Sequence, residues 1–202
     1  MKHYIEEIKE KLIEFYGKDD WMIEEDGTLY IGSMPGSIEE YGSQLYFHIF
    51  YKGLNNNEIN DLENRIERNI PDELKDFYRA SNGLSLFAGS LSIGGLIDRT
   101  PSSSNPIDLR YGNTVDRPMK EGEFTDNSNE IRFGGYGIDH FDLLINLDKK
   151  SIYAVPRFTP EPIYDEWLNF KEFLITEVDR FIALAKVSTE RIDALNPLPA
   201  PW

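Results

Sequence analysis

Residues 57–96 constrain the fold more than any other stretch, because they combine two helix signals, a helix stop and a strand pair. Asn55 followed by Glu58 is the reciprocal capping arrangement that begins a helix. Pro71 suits the first turn of a second helix, where its missing N–H breaks no hydrogen bond. An Asn-Gly pair ending at Gly83 is typical of a left-handed helix end. Short apolar runs separated by glycines follow, so the stretch predicts two helices and then two short strands.

The first 54 residues carry the signals of one helix and three strands. Residues 2–16 place apolar side chains at helical spacing, and Gly17 ends this pattern. Two short apolar runs flank Asp26-Gly27, which favours a hairpin because both turn positions can need a positive φ. The aromatic and β-branched run at 45–51 is typical of a strand. We therefore expect a helix, a hairpin and a further strand before the two capped helices.

The second half of the chain begins with a polar stretch and then returns to strand signals. Residues 98–129 are rich in Ser, Asn, Asp, Pro and Gly and are expected to form a long loop. Strand patterns follow at 131–133, 141–147 and 151–155, and the apolar spacing predicts a closing helix from about residue 164 to 186. This order of elements predicts an α+β fold, with a mainly antiparallel sheet flanked by helices. The predicted core includes Leu74, Phe77, Trp167, Phe170, Leu174 and Phe181.

The chain is strongly acidic, with 36 acidic against 21 basic residues and a formal net charge of −15. This charge disfavours binding to nucleic acid or to an anionic membrane, because both carry negative charge themselves. It suits a basic protein partner, although solubility alone explains such a charge equally well. The absence of cysteine excludes disulfides and thiolate chemistry. No signal peptide or transmembrane run is recognisable, so the cytoplasm is the expected location.

No arrangement of residues in the sequence clearly indicates a catalytic site. The three histidines lie on separate elements without metal-ligand spacing, so neither a metal nor a cofactor is predicted. The run Gly134-Gly135-Tyr136-Gly137 lacks the Lys-Ser/Thr pair of a phosphate loop and indicates a tight turn or a close backbone approach. His140, flanked by Asp139 and Asp142, is the one arrangement that would suit acid–base chemistry. An enzyme that uses Asp139, His140 and Arg132 ranks last among three functional hypotheses.

Two parts of the chain resemble the SUKH superfamily. The segment Ile70-Pro71-Asp72-Glu73-Leu74, continued by Phe77-Tyr78 and Asn82-Gly83, is similar to the opening motif of that superfamily. Later matches in the same order are Leu86-Phe87, Leu91, Ile93, Asp108-Leu109, Asn113, the glycine-aspartate strand pair at 131–147, Trp167-Leu168, Phe170 and Phe173-Leu174. The resemblance implies three regions: an N-terminal helix and strands at 1–56, a SUKH-like domain at 57–187 and a Pro-rich tail at 188–202.

Proteins of this superfamily look like binding modules and not like enzymes. They include fungal glucan-synthesis regulators of the Smi/Knr type and many bacterial immunity proteins. The resemblance therefore implies a non-enzymatic, cytoplasmic immunity protein that neutralises a cognate toxin by covering its active site. In view of the chain's charge, we expect a basic toxin domain. The alternative is an intracellular regulatory or scaffold protein of the Smi/Knr type. Neither the toxin nor the oligomeric state follows from the sequence.

The candidate partner-binding residues lie in two places. The glycine-rich segment offers Arg132 and three groups that we expect to be exposed, Tyr136, Asp139 and His140. The long loop adds Asp98, Arg99 and Arg110. The same glycines are explained equally well by a turn that has no part in binding.

Overall fold

The computed structural model describes five segments of the chain, which are residues 3–33, 46–96, 129–137, 141–156 and 164–187. These segments form four helices, α1 (Tyr4–Tyr16), α2 (Asn56–Ile66), α3 (Asp72–Ala80) and α4 (Phe170–Val187). They also form nine strands, β1 (Trp21–Ile23), β2 (Leu29–Ser33), β3 (Tyr46–Phe50), β4 (Leu84–Leu86), β5 (Leu91–Ile93), β6 (Glu130–Tyr136), β7 (Phe141–Asn146), β8 (Ile152–Pro156) and β9 (Tyr164–Trp167). The loop predicted at 98–129, except its last residue, and the tail at 188–202 lie outside the described residues.

The nine strands form one sheet whose spatial order is the order along the chain, from β1 to β9. Every neighbouring pair of strands is antiparallel. β3 pairs with β4 although α2 and α3 separate them in sequence, so the first three strands continue the sheet formed by the others. This confirms the predicted α+β class with an antiparallel sheet. The division of the chain at residue 56 stays a prediction.

Two local signals in the sequence act as expected. The Asn55 side chain accepts the N–H groups of Asn57 and Glu58 at 2.9 and 3.1 Å, and the Glu58 carboxylate accepts the N–H of Asn55 at 2.7 Å. This reciprocal cap begins α2. Between β1 and β2, Gly27 has a φ of +96°, while Asp26 instead accepts the N–H of Thr28 at 2.7 Å. Only one of the two turn positions therefore needs the left-handed region.

The prediction of one helix from residue 164 is wrong at its start. Tyr164–Trp167 is the edge strand β9, in which Trp167 pairs with Ile152, and the helix begins at Phe170. The strand ends at Trp167, and Asn169 caps the helix, because its Oδ1 accepts the N–H of Glu172 at 2.8 Å. The apolar spacing runs through both elements, so it gave no sign of the boundary.

The end of α3 also differs from the prediction. The helix ends at Ala80, and Ser81 is extended, with φ −158° and ψ 126°. The left-handed residue is Gly83, with a φ of +84°, which lies beyond the cap in the turn into β4. The Ser81 hydroxyl donates to the carbonyls of Tyr51 and Gly83 at 3.1 and 2.6 Å, and these bonds stabilise the extended exit.

A carboxylate from α3 caps the start of α4. The Glu73 side chain accepts the N–H groups of Phe170 and Lys171 at 3.2 and 3.0 Å. These donors belong to the first turn, whose N–H groups have no partner inside the helix, and a negative charge there also complements the helix dipole. Glu73 therefore ties α4 to α3.

We expect Glu73→Ala to lower the free energy of unfolding by about 1–2 kcal/mol, the range for loss of a helix cap. Glu73→Gln keeps one acceptor oxygen and is expected to lie between the wild type and the alanine variant. Urea unfolding of the three proteins measures both differences. Equal stability of all three would show that the cap contributes nothing.

The helices pack on one face of the sheet. All four contribute to a single apolar cluster that also contains alternate residues of the central strands, including Leu84, Ile93 and Leu143. Because successive side chains of a strand point to opposite faces, the residues between them point away from the helices. Within the described segments, no helix is both long and apolar enough to cross a membrane.

We name the opposite side of the sheet the helix-free face, because no described helix contributes residues to it. The strand registers align eight of its residues in one row across the sheet: Met22, Tyr30, Ile49, Ser85, Ser92, Gly135, Asp142 and Val155. A second row beside it contains Arg132, Leu144 and Tyr153.

Candidate functional site

The helix-free face carries small residues at its centre. Ser85, Ser92 and Gly135 lie side by side on β4, β5 and β6 and are each half-buried, so solvent reaches all three. Larger side chains flank them, with Ile49 on β3 and Asp142 on β7. We name this row of small residues between larger ones the trough, because short side chains let the backbone of a partner approach the three central strands closely.

Arg132 forms one wall of this trough together with Asp142. Arg132 Nη1 lies 3.0 Å from Asp142 Oδ2, and the two side chains are 18% and 7% exposed. Next to this pair, the Tyr153 hydroxyl is hydrogen-bonded to Glu130, and burial together with that carboxylate raises the pKa of Tyr153. The polar groups on this wall therefore have fixed partners and fixed positions. The structure thus places Arg132 on the helix-free face, but its role in binding stays a prediction.

The expectation that Tyr136 is exposed is wrong. Its side chain is 1% exposed and its ring lies 6.4 Å from that of Phe181, among the residues of the core. The reason is a β-bulge between Arg132 and Gly134, which inserts one extra residue and reverses the alternation of β6. Burial, followed by the nearby Glu177 carboxylate, raises the pKa of the Tyr136 phenol.

The other predicted site residues cannot be compared with the structure. Asp139, His140, Asp98, Arg99 and Arg110 all lie outside the described residues. The glycines beside them are placed, and they support a close backbone approach. A Cβ on Gly134 would lie 2.4 Å from the carbonyl oxygen of Ser92, and one on Gly137 would lie 2.5 Å from that of Gly89. β6 and its neighbours could not come this close with larger residues at these positions.

Sequence reasoning missed a buried ionic pair on α4. Glu177 is 1% exposed, and Arg180 donates to its carboxylate through Nη2 at 2.7 Å and through Nε at 3.1 Å. The Arg180 guanidinium also lies 4.1 Å above the ring of Phe181. The i, i+3 spacing of acid and base was visible in the sequence, but it is a common pattern on solvated helices. Burial alone distinguishes this pair.

His48 is a second buried polar residue that the sequence did not single out. It is 0% exposed, and its Nδ1 accepts the N–H of Phe87 at 3.4 Å. Its Nε2 has no hydrogen-bond partner among the described residues. Burial lowers the pKa of His48 to about 3, so the imidazole is neutral near pH 7.

The motif residues around Asn82 hold the chain in place between α3 and the end of β5. The Asn82 side chain donates to the carbonyl of Leu96 at 2.7 Å and accepts the N–H of the same residue at 2.6 Å. A Cβ on Gly95 would lie 2.1 Å from Asn82 Oδ1, and a Cβ on Gly83 would lie 2.5 Å from the Ile93 carbonyl oxygen. The Asn-Gly pair thus fixes how the chain leaves α3 and how it leaves β5.

A cleft of about 540 Å³ opens beside the start of α3. Its lining includes Pro71, Asp72 and Glu73 together with Ile145, Leu147 and Lys150. The cleft combines apolar residues with two acidic side chains and one basic side chain, and it can accept a side chain of a partner. Within the described residues, no group of three or more His, Cys, Asp or Glu residues is placed to hold a metal ion.

Comparison with known families gives one match. The family model described as the SMI1 / KNR4 family (SUKH-1) matches residues 53–176. This range contains α2, α3, all strands from β4 to β9 and the first part of α4. It excludes α1 and the strands β1 to β3. Comparison with curated proteins gave no match.

Proposed function

The chain belongs to the SMI1/KNR4 (SUKH-1) family, and on this premise we propose that it is a non-enzymatic protein-binding module that acts as an immunity protein in the cytoplasm. It would neutralise a cognate toxin by binding it directly. The trough on the helix-free face supports this proposal best, because it is the part of the matched region where small accessible residues and a fixed ion pair adjoin.

The proposed mechanism is occlusion of the toxin's active site. The trough receives a raised segment of the toxin, with Ser85, Ser92 and Gly135 as its floor and Arg132 with Asp142 as a polar wall. A preformed surface of this kind loses little conformational entropy on binding, because its strands and ion pair are already ordered. Specificity would come from the few side chains that fit the trough.

The charge of the chain supports a basic partner. A protein with 36 acidic and 21 basic residues attracts a basic toxin over long range and increases the rate of encounter. A nuclease toxin is the natural candidate, since its substrate is a polyanion and its active-site surface is therefore basic.

Filling the trough is expected to weaken neutralisation. Ser92→Arg, and independently Ser85→Arg, place a long side chain on its floor and are expected to weaken toxin binding by on the order of 30-fold, equivalent to about 2 kcal/mol. Survival of cells that co-express the toxin encoded beside the gene, together with the dissociation constant of the purified pair, measures this.

Asn64→Arg is the matched control, because it adds the same side chain and charge on the exposed surface of α2. It should rescue cells as the wild type does. Rescue by both trough variants, with unchanged affinity, would remove the trough from the interface. Failure of the wild type to rescue, together with recovery of several cellular proteins bound to it, would instead favour a regulatory or scaffold protein of the Smi/Knr type.

A further inference from the structure

The strand β1 exposes three consecutive apolar residues at the edge of the sheet. Trp21, Met22 and Ile23 are 42%, 40% and 58% exposed, and among the described strands β1 pairs with β2 alone. A strand edge with large apolar side chains is normally covered or protected, because it can pair with another chain. The Trp21 indole is held in place, since its Nε1 donates to the carbonyl of Lys18 at 2.7 Å.

The backbone of β1 has free hydrogen-bonding groups on its outer side. The N–H of Glu24 donates to Thr28 at 2.9 Å and the N–H of Gly32 donates to Asp20 at 2.8 Å, which identifies these as hydrogen-bonded pairs. Hydrogen-bonded and non-bonded pairs alternate along antiparallel strands. The main-chain N–H and C=O groups of Met22 therefore point towards β2, whereas those of Trp21 and Ile23 point out of the sheet. No described residue forms a main-chain hydrogen bond with either.

Carboxylates flank this apolar edge on both sides. Asp19 and Asp20 precede it, and Glu24, Glu25 and Asp26 follow it, against two basic residues: Lys18 in the same stretch and Lys52, whose side chain lies beside Gly27. The hairpin is rigid at both ends, because Asp20 accepts the N–H and hydroxyl of Ser33 and Asp26 accepts those of Thr28. The strand is thus presented in a fixed extended form with negative charge at each end.

The charges select between the possible occupants of the edge. A second copy of the chain paired through β1 would bring its own carboxylates against these five, and the repulsion disfavours that arrangement. A basic segment with apolar residues at its centre would gain attraction from the same charges. The edge therefore excludes its own copy and suits a strand of opposite charge.

We propose that β1 accepts an extended basic segment of the protein partner as a tenth strand of the sheet. The main chain of the segment bonds to Trp21 and Ile23, its apolar side chains pack on the exposed side chains of β1, and its lysines or arginines lie near the flanking carboxylates. The proposed strand addition rests on the proposed function, because both require that the partner is a protein. The site lies before residues 53–176, which the family model matches. It would therefore be a second contact with the partner, outside the region shared with the family.

A synthetic peptide tests the site without knowledge of the toxin. The probe is Lys-Lys-Val-Thr-Val-Lys-Lys, and its matched control is Lys-Lys-Val-Pro-Val-Lys-Lys, which keeps the charge but lacks the central N–H and resists strand pairing. Titration of the ¹⁵N-labelled full chain should shift the amide signals of Trp21 and Ile23 with the first peptide. The proline peptide should bind at least tenfold more weakly.

Variants of the protein separate hydrogen bonding from charge. Ile23→Pro removes an outward N–H, and Ile23→Ala keeps it while also losing the large side chain, so binding should be weaker for the proline variant than for the alanine variant. Asp19→Lys with Glu25→Lys should weaken peptide binding on the order of 10-fold. Glu7→Lys with Glu14→Lys, the same charge change on exposed positions of α1, should have little effect.

The outcomes distinguish this inference from the proposed function. Equal binding of both peptides, or equal binding by the Ile23→Pro and Ile23→Ala variants, would overturn strand addition. A wild-type dimer that Ile23→Pro converts to a monomer would also overturn it, because the edge would then hold a second copy. If the toxin is neutralised and Ser92→Arg abolishes this while Ile23→Pro does not, the proposed function stands and the edge site fails. Peptide binding at β1 without rescue of cells from the toxin would support the edge site and overturn the proposed function.

Discussion

Replacing Phe170 with alanine is expected to lower the free energy of unfolding by about 3–5 kcal/mol. The ring is 0% exposed and lies 4.9 Å from Phe77 on α3, 5.4 Å from Phe133 on β6 and 6.1 Å from Phe173 on α4. Its removal leaves a cavity where two helices meet the sheet, and the rigid surroundings can close it only in part. Urea or thermal unfolding measures the loss.

Leu168→Ala is the matched control for this prediction. Leu168 lies two residues earlier and is 76% exposed, so its truncation should change stability by no more than about 0.5 kcal/mol. A small loss for Phe170→Ala, comparable with that of Leu168→Ala, would mean that α4 does not pack on the sheet as described. The helix-free face depends on this packing, because β6 carries Phe133 on one side and Arg132 on the other.

The stability of the protein is expected to fall as the pH is lowered below 6.5, owing to His48. Burial lowers the pKa of His48 from its ordinary value of 6.5 to about 3. Between these values the unfolded chain binds a proton that the folded chain does not, so acid favours unfolding. The contribution is fully present above pH 6.5 and is lost progressively as the pH falls towards 3. The loss of stability amounts to about 2 kcal/mol at pH 5 and about 4 kcal/mol near pH 3.5.

The change in unfolding free energy between pH 7 and pH 5 should be measured for the wild type and for His48→Asn. The asparagine keeps an acceptor for the N–H of Phe87 and does not titrate, so its pH dependence should be smaller by about 2 kcal/mol. Both proteins share the titration of their carboxylates, which cancels in the comparison. Parallel pH profiles would show that His48 is not buried in its neutral form.

The parts of the fold that the sequence predicted depend on neighbours along the chain. The cap at Asn55 and Glu58 and the hairpin turn at Gly27 require only residues a few positions apart, so their signals are local. The family motif adds the order of these elements. The class of the fold followed from this local information, because amphipathic helices and an antiparallel sheet bury their apolar faces together.

Contacts between distant residues decided the remaining features. The start of α4 depends on the N–H groups of Phe170 and Lys171 meeting Glu73, a residue on another helix. The orientation of Tyr136 depends on one extra residue in β6 relative to β7, which no alternation rule applied to a single strand can detect. The candidate site is of the same kind, because Ser85, Ser92 and Gly135 become neighbours only through pairing of three strands.

The amino-acid sequence alone thus determined the presence and order of the helices, the hairpin turn, the acidic charge and the family, since each is a property of composition or of nearby residues. Only the tertiary structure decided which face of the sheet is accessible, where Tyr136 points and that the apolar edge of β1 is exposed. The physical reason is that burial and strand register are set by residues far apart in the chain, and the free energy of packing acts on all of them at once.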